Sequence, residues 1–369
     1  MTAVGDATSP GLDYTRAGVD TAREEEALAG FLAAIRPTLA LRQGVGAPLL
    51  GIGHFANVIR LGDNLGIAVS TDSVGTKLLV AQLLDRYDTI GIDCVAMNVN
   101  DVLCVGAEPL CLLDYIAVQE PDPYLLAEIG KGLARGAALA NVTIPAGEIA
   151  QAGEIIRGVR AGRGFDLVGT CFGAIRLDRI IDGRRVEAGD VVVGLRSSGI
   201  HSNGLTLARR ALLEVGRRSL ADAVPGSAQT VGEALLEPTR IYVREVLEML
   251  EAGLRLKGLA HITGDGLTNV GRIGAGVAYV LDALPEPQPI FGLIQQAGGV
   301  SDAEMYCVFN MGVGFCIVLS PDQAEPALRI ARRHGADGSV IGRVTGGPGG
   351  EVRIPGRRLV ARGNRFEPY

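Results

Sequence analysis

The chain has 369 residues, enough for two domains at about 150 residues each. Its 35 Lys and Arg against 41 Asp and Glu leave a net charge of −6, and 47% of the residues are hydrophobic. That composition excludes a disordered chain and argues against a dedicated nucleic-acid binder, which needs a basic face to displace counterions. Aromatics are 4% and Trp is absent, so base-stacking platforms are not expected either. The 52 glycines, about twice ordinary usage, cluster in short loops, which suits backbone turning close to phosphates as well as plain turns.

The opening MTAVGDATSPG has no basic segment before an apolar run, so residues 1–13 read as a flexible lead and not a secretory signal. No stretch of about 18 residues is free of polar breaks, so no membrane span is expected. Six cysteines without a CxxC pair or zinc-like His spacing point to reduced, mostly buried thiols in a cytoplasmic protein. Residues 23–42 have helical periodicity up to Pro37. LLGIGHFANVIRLG and GIAVSTD are strand-like, and TKLLVAQLLDRY is an amphipathic helix. DTIGIDCVAMNVNDVLCVG is a second helix, capped near Asp88 and ended by Gly106. The strand CLLDYIAVQ, the helix PYLLAEIGKGLARGAALANV and the strand FDLVGTCFGAIRL follow. A basic stretch over 176–190 marks the boundary, giving domains 1–180 and 181–369. The second half restarts with the strand VVVGLRSS and the helix LTLARRALLEVG. A further helix opens at Pro238 and Thr239, YCVFNMGVGFCIVLS is strand-like, and PDQAEPALRIARRHG is a late helix ending at Gly335. GGPGGEVRIPGRR is short strand and turn. The alternation without a repeat predicts an α+β or α/β enzyme of two domains.

The chemistry concentrates in a few loops. In GIAVSTDSVGTKLLVAQ a strand ends at Asp72 and a helix begins at Lys77, with Gly75 and Thr76 between them. A helix start favours anions, Lys77 adds a point charge for a phosphate, and Asp72 suits magnesium. The P-loop pattern is absent, and an ordinary turn with a surface lysine remains the alternative. On the next helix Asp93, Met97 and Asn100 share a face and Asp101 lies one position round. Polar groups on so apolar a helix either cap neighbouring loops or ligate metal and nucleotide, and hard oxygens fit magnesium better than zinc. Glu148 is a further candidate ligand, or a solvated carboxylate, and Asp114 is an acid in an apolar strand. In the second half SSGIHSNG places His201 and Asn203 among glycines, and HITGDG (His261, Gly264, Gly266) is a second anion cradle. No GxSxG elbow or GxGxxG supports a hydrolase or a dinucleotide fold.

STDSVGTKL, DTIGIDCVAMNVNDVLCVGAEPLCLLDYIA, SSGIHSNG, PTRIYV, HITGDG and EMYCVFNMGVG, with YTRAGVD near the start, resemble the phosphoribosylformylglycinamidine cyclo-ligase (aminoimidazole ribonucleotide synthetase) family. The blocks run in the family's order from about residue 14 to about 345. The resemblance implies ATP-dependent ring closure of formylglycinamidine ribonucleotide in purine biosynthesis, with ATP and Mg2+. It implies Asp72, Asp93, Asp101 and Glu148 as metal ligands, and Lys77, Gly75, Thr76, Asn100, Gly264 and Gly266 around the nucleotide. His201, Asn203 and Lys77 would act on the substrate. It also implies an α+β N-terminal domain, an α/β C-terminal domain, and a homodimer whose N-terminal sheets meet in a barrel. The sequence departs from the family pattern at Pro145–Ile149, at GIGHFAN and at Asp265, where the family has Gly. The rival readings are a thiamine-monophosphate-kinase-like or hydrogenase-maturation-like enzyme, or a non-catalytic nucleotide-binding paralogue. A selenophosphate-synthetase-like enzyme is disfavoured, because the first cysteine, Cys94, lies inside a helix.

Overall fold

The computed structural model describes residues 11–369, so most of the lead expected over 1–13 lies outside the described residues. The first half contains α1 (Thr21–Ile35), β1 (Asn57–Arg60), β2 (Gly66–Ser73), α2 (Lys77–Leu84), α3 (Ile90–Leu103), β3 (Glu108–Val118), α4 (Pro123–Ala140), β4 (Thr143–Gln151) and β5 (Phe165–Ile175). Local chemistry sets these limits. Asp122 accepts from Leu125 N to open α4, Pro123 fills its first turn, and Asn141 in the left-handed region ends it.

The first sheet runs β1-β2-β5-β3-β4, with β3 and β4 parallel through the α4 crossover and the other neighbours antiparallel. Burial alternates along β5. Gly169 and Gly173 turn toward α3, where an added Cβ would meet Asn98 or Val102. Val168, Thr170 and Phe172 look the other way, in rows with Val69, Leu113 and Tyr115, and this outer face stays half-exposed. α3 is sandwiched: every residue from Ile90 to Leu103 is buried except Asp101. Its approach to α4 depends on glycine, since a Cβ on Gly91 would lie 2.0 Å from Leu133 N.

The second half contains β6 (Val191–Arg196), α5 (Leu205–Arg209), α6 (Val231–Leu236), α7 (Val243–Glu251), β7 (Gly258–His261), β8 (Val277–Val280), α8 (Pro289–Gly298), α9 (Asp302–Val308), β9 (Val313–Leu319), α10 (Pro321–Arg333), β10 (Gly338–Gly346), β11 (Glu351–Ile354), β12 (Leu359–Ala361) and β13 (Phe366–Pro368). Its sheet runs β13-β12-β11-β8-β10-β6-β9-β7, with α10 packed on β6, β10 and α7. The two sheets part between Ile175 and Val191. The six cysteines are free thiols. Among the described residues no helix is long and apolar enough to cross a membrane.

Several expected elements shift. The helix expected from Pro238 begins at Val243, because the main chain of 239–242 is engaged by side chains of α3. YCVFNMGVGFCIVLS divides into the end of α9 and β9, separated by left-handed Met311 and Gly312. The Ser301 cap was the signal for that helix: its side chain accepts from Glu304 N. LTLARRALLEVG is one α-helical turn followed by π-helix over Arg210–Val215. Only Asn57–Arg60 of GIGHFANVIRLG is strand, and α3 is capped at Thr89, not Asp88.

Candidate active site

α3 carries the polar groups that tie the halves together. Asp93 Oδ1 accepts from Lys77 Nζ (2.9 Å), Thr239 N (2.7 Å), Thr239 Oγ1 (2.6 Å) and Ser202 Oγ (3.2 Å). Lys77 also donates to Glu237 O, and neither charged side chain is exposed at all. Charges sealed this deeply require each other, so the pair fastens α2, α3 and the 239 loop and leaves no ammonium for a phosphate. This corrects Lys77 as a phosphate ligand; Asp93 has one oxygen fully engaged, while its Oδ2 is buried without a partner among the described residues.

Two turns along, the buried Asn100 amide is oriented by main chain. Its Oδ1 accepts from Tyr242 N (3.0 Å) and its Nδ2 donates to Arg240 O (2.9 Å). The same Nδ2 lies 3.3 Å from His261 Nε2, and His261 Nδ1 lies 3.0 Å from Asp101 Oδ1. Ser70 Oγ approaches the other Asp101 oxygen at 3.5 Å. Asp72, two residues beyond Ser70, has its carboxyl pushed up to about 6 by burial first and the Asp101 charge second. Asn98 Nδ2 donates to Asp72 O, while its Oδ1 is buried without a partner among the described residues. Two carboxylates and an amide oxygen are hard donors, a set that fits magnesium and not zinc.

The SSGIHSNG loop faces α3 from the second half. His201 adopts a left-handed backbone (φ 69°), and its Nε2 accepts from Ser198 N (3.3 Å) and Arg240 N (3.4 Å). That places its proton on Nδ1, which is buried and unpartnered among the described residues. Burial, then His261, Lys77 and Arg240, hold the ring well below the usual histidine range, so it is neutral. Asn310 supports the loop from below, accepting from Ser197 Oγ and donating to Gly199 O and Ile200 O. Asn203 Nδ2 would lie 3.2 Å from a Cβ on Gly264, and its Oδ1 is buried without a partner among the described residues.

The structure brings Asp72, Asn100, Asp101, His201 and Asn203 to one interface. Gly75 and Thr76 form an exposed turn at its edge, where Thr76 Oγ1 meets Thr206 Oγ1 at 2.9 Å. Glu148 does not join them. It stands on exposed β4 in the row of Tyr115, while Asp72 shares the row of Gly169 and Asp114 on the opposite face. Among the described residues its carboxylate accepts only from Ile149 N, at 3.0 Å. Among the described residues no three acidic, His or Cys side chains gather into a metal cage, so the four acids do not form one ligand set within a single chain. Gly266 is explained by packing, since a Cβ there would lie 2.2 Å from Tyr306 O. Asp114 lies over Gly147, with its carboxyl raised by burial. Ser70, Asn98, Ser202, Thr239 and Asn310 were not singled out from the sequence, because isolated small polar residues carry no periodic signal.

The family model for the AIR synthase related protein N-terminal domain matches residues 53–175, and that for the C-terminal domain matches 187–355. These matches and the two-sheet architecture define an AIR synthase-related protein. The phosphoribosylformylglycinamidine cyclo-ligase of Methanothermobacter thermautotrophicus is 49% identical over 92% of this chain and 96% of its own. The chain therefore belongs to the phosphoribosylformylglycinamidine cyclo-ligase family. Thiamine-monophosphate kinase from Stenotrophomonas maltophilia superposes with a TM-score of 0.61 at 20% identity, covering 88% of this chain and 96% of that one. T. maritima PurL complexed with ATP gives 0.56 at 19%, covering 87% of this chain and 46% of that one. At these identities the two structures share the fold alone.

Two outcomes follow from the buried charges. Lys77→Met leaves Asp93 buried without its counter-charge and should cost about 3–5 kcal/mol, read as a lowered urea midpoint. For Asp72, folding raises an ordinary value of 3.8 to about 6, so the folded chain binds the extra proton between those values and loses stability as pH rises through them. Asp72→Asn, unfolded in urea without metal, should be the more stable protein at pH 8 by up to about 3 kcal/mol, with the gain fading below about pH 4.

Proposed function

We propose that this protein closes the imidazole ring of purine biosynthesis, converting formylglycinamidine ribonucleotide and ATP to aminoimidazole ribonucleotide, ADP and phosphate. The observation that carries the reading is 49% identity to a phosphoribosylformylglycinamidine cyclo-ligase across 92% of the chain, a span that takes in both walls of the site. In this reaction the formyl oxygen attacks the γ-phosphorus of ATP. The ribose-bearing amidine nitrogen then attacks the activated formyl carbon, and phosphate departs. The protein's task is placement and charge neutralisation.

Asp72 and Asp101 hold the magnesium ion, which when bound offsets the charge of the triphosphate. The exposed turn at Gly75 and Thr76 presents main-chain N–H groups at the start of α2 to the phosphates. Lys77 and Asp93 act through position, holding that turn and α3 against the second half. His201 and Asn203 face the ribonucleotide. The neutral His201 ring, with its proton on Nδ1, serves as a hydrogen-bond donor and not as a charged acid. Gly264, beside Asn203, lets the substrate approach the main chain.

The half-exposed outer face of the first sheet supports a homodimer. Val69, Leu113, Val168, Phe172 and the exposed Tyr115 form an apolar sheet surface left at least partly open by the described residues. Glu148 stands on this face, where it would meet a second copy and not Asp72 of its own chain.

Phosphate release from ATP should require formylglycinamidine ribonucleotide. Asp101→Asn should lower that turnover at least 100-fold with a melting temperature within a few degrees of wild type. Release without the ribonucleotide, or near-normal turnover in the variant, contradicts the assignment. Light scattering should give twice the chain mass for wild type and a single-chain mass for Phe172→Glu; an unchanged mass removes the sheet face as the interface.

A further inference from the structure

The alternating contacts between Asn100, His261 and Asp101 determine more than packing. Asn100 projects from α3, and its amide has no freedom to flip. Its oxygen accepts from the N–H of Tyr242, and its nitrogen donates to the carbonyl of Arg240. Exchanging the two atoms would set donor against donor and acceptor against acceptor. The remaining hydrogen on Nδ2 is therefore the one directed at His261 Nε2, 3.3 Å away. A ring nitrogen facing a donor must offer its lone pair. The His261 proton then sits on Nδ1, which lies 3.0 Å from Asp101 Oδ1. A half-turn of the ring would put carbon where each nitrogen now makes its contact, and His261 is fully buried beside Phe315, with centroids 6.4 Å apart.

Asp101 needs such a hold. It is the one residue of α3 that is not buried, and Asp72 lies on β2 two residues beyond Ser70, whose hydroxyl approaches the Asp101 carboxylate. Two carboxylates that repel turn apart unless fixed, and the Ser70 hydroxyl at 3.5 Å is a long contact. We propose that His261 is a positioning residue: locked as the Nδ1–H tautomer by Asn100, it aims the Asp101 carboxylate toward Asp72 from the opposite half of the molecule. The inference rests on the reading of Asp72 and Asp101 as the cation pair. It adds that the pair is set in place by the second sheet, through the end of β7. The order of contacts runs from the main chain of the second half to Asn100 of the first, to His261 of the second, to Asp101 of the first.

The test compares two amide replacements of similar size. The amide nitrogen of His261→Asn falls near the place of Nδ1 and can donate to Asp101. That of His261→Gln falls near Nε2 and faces Asn100. Manganese binding, read by electron paramagnetic resonance without substrates, should weaken about 10–100-fold in His261→Gln and stay within about threefold of wild type in His261→Asn. In steady-state assays kcat should follow the same split, while the KM for formylglycinamidine ribonucleotide changes little in either. Both proteins should melt within a few degrees of each other. Equal manganese affinity in the two variants, whether both weak or both normal, overturns the positioning role. A wild-type protein that binds no manganese overturns the underlying cation pair, a result distinguishable from any difference between the variants.

Discussion

The Asp93 carboxylate is the point on which the rest of the architecture turns. One oxygen gathers an ammonium, a main-chain N–H and two hydroxyls from three separate stretches of the chain. Removing two opposite charges from water is costly; four donors to the one Asp93 oxygen offset that cost, while its Oδ2 is buried without a partner among the described residues. Once that arrangement forms, α2, α3, the loop at 202 and the loop at 239 have fixed relative positions. The exposed turn at Gly75, the Asn100 amide and the His201 loop then fall at the same interface as a geometric consequence.

Much of this was legible in the residues. The apolar helix interrupted by Asp93, Asn100 and Asp101 announced polar business with something outside the helix, and all three do reach the second half. The glycine-rich loops SSGIHSNG and HITGDG stand where strands end, as their turn chemistry required. What could not be read was the partner of each group. Lys77 and Asp93 are 16 positions apart on different helices, and a lysine at a helix start looks the same whether it faces a ligand or a buried acid. The cost of leaving either charge alone on an apolar surface was the available hint that they neutralise each other.

Glu148 stands apart from Asp72 within its own chain for a different reason. A strand turns successive side chains to opposite faces, so a one-residue difference in register decides whether an acid meets α3 or the outer surface. Asp114 and Gly147 share the row of Asp72, and Glu148 is one step past it. Sequence alone gives the alternation but not the pairing of β3 with β4. The start of α7 was misplaced for a related cause. Pro238 and Thr239 are good helix openers, yet the Thr239 and Tyr242 N–H groups are claimed by side chains from the other half.

The seam between the halves bears on how such a chain can be rebuilt. Asn100 and His201 each depend on main-chain atoms of the 240–242 stretch, and these atoms keep their identity whatever side chains are exchanged. Their spatial setting, however, comes from the helix and loop behind them. A chimera that joins the first half of this protein to the second half of a distant relative would retain the hydrogen-bonding groups and lose their registration. The two halves are thus a matched pair and not interchangeable modules.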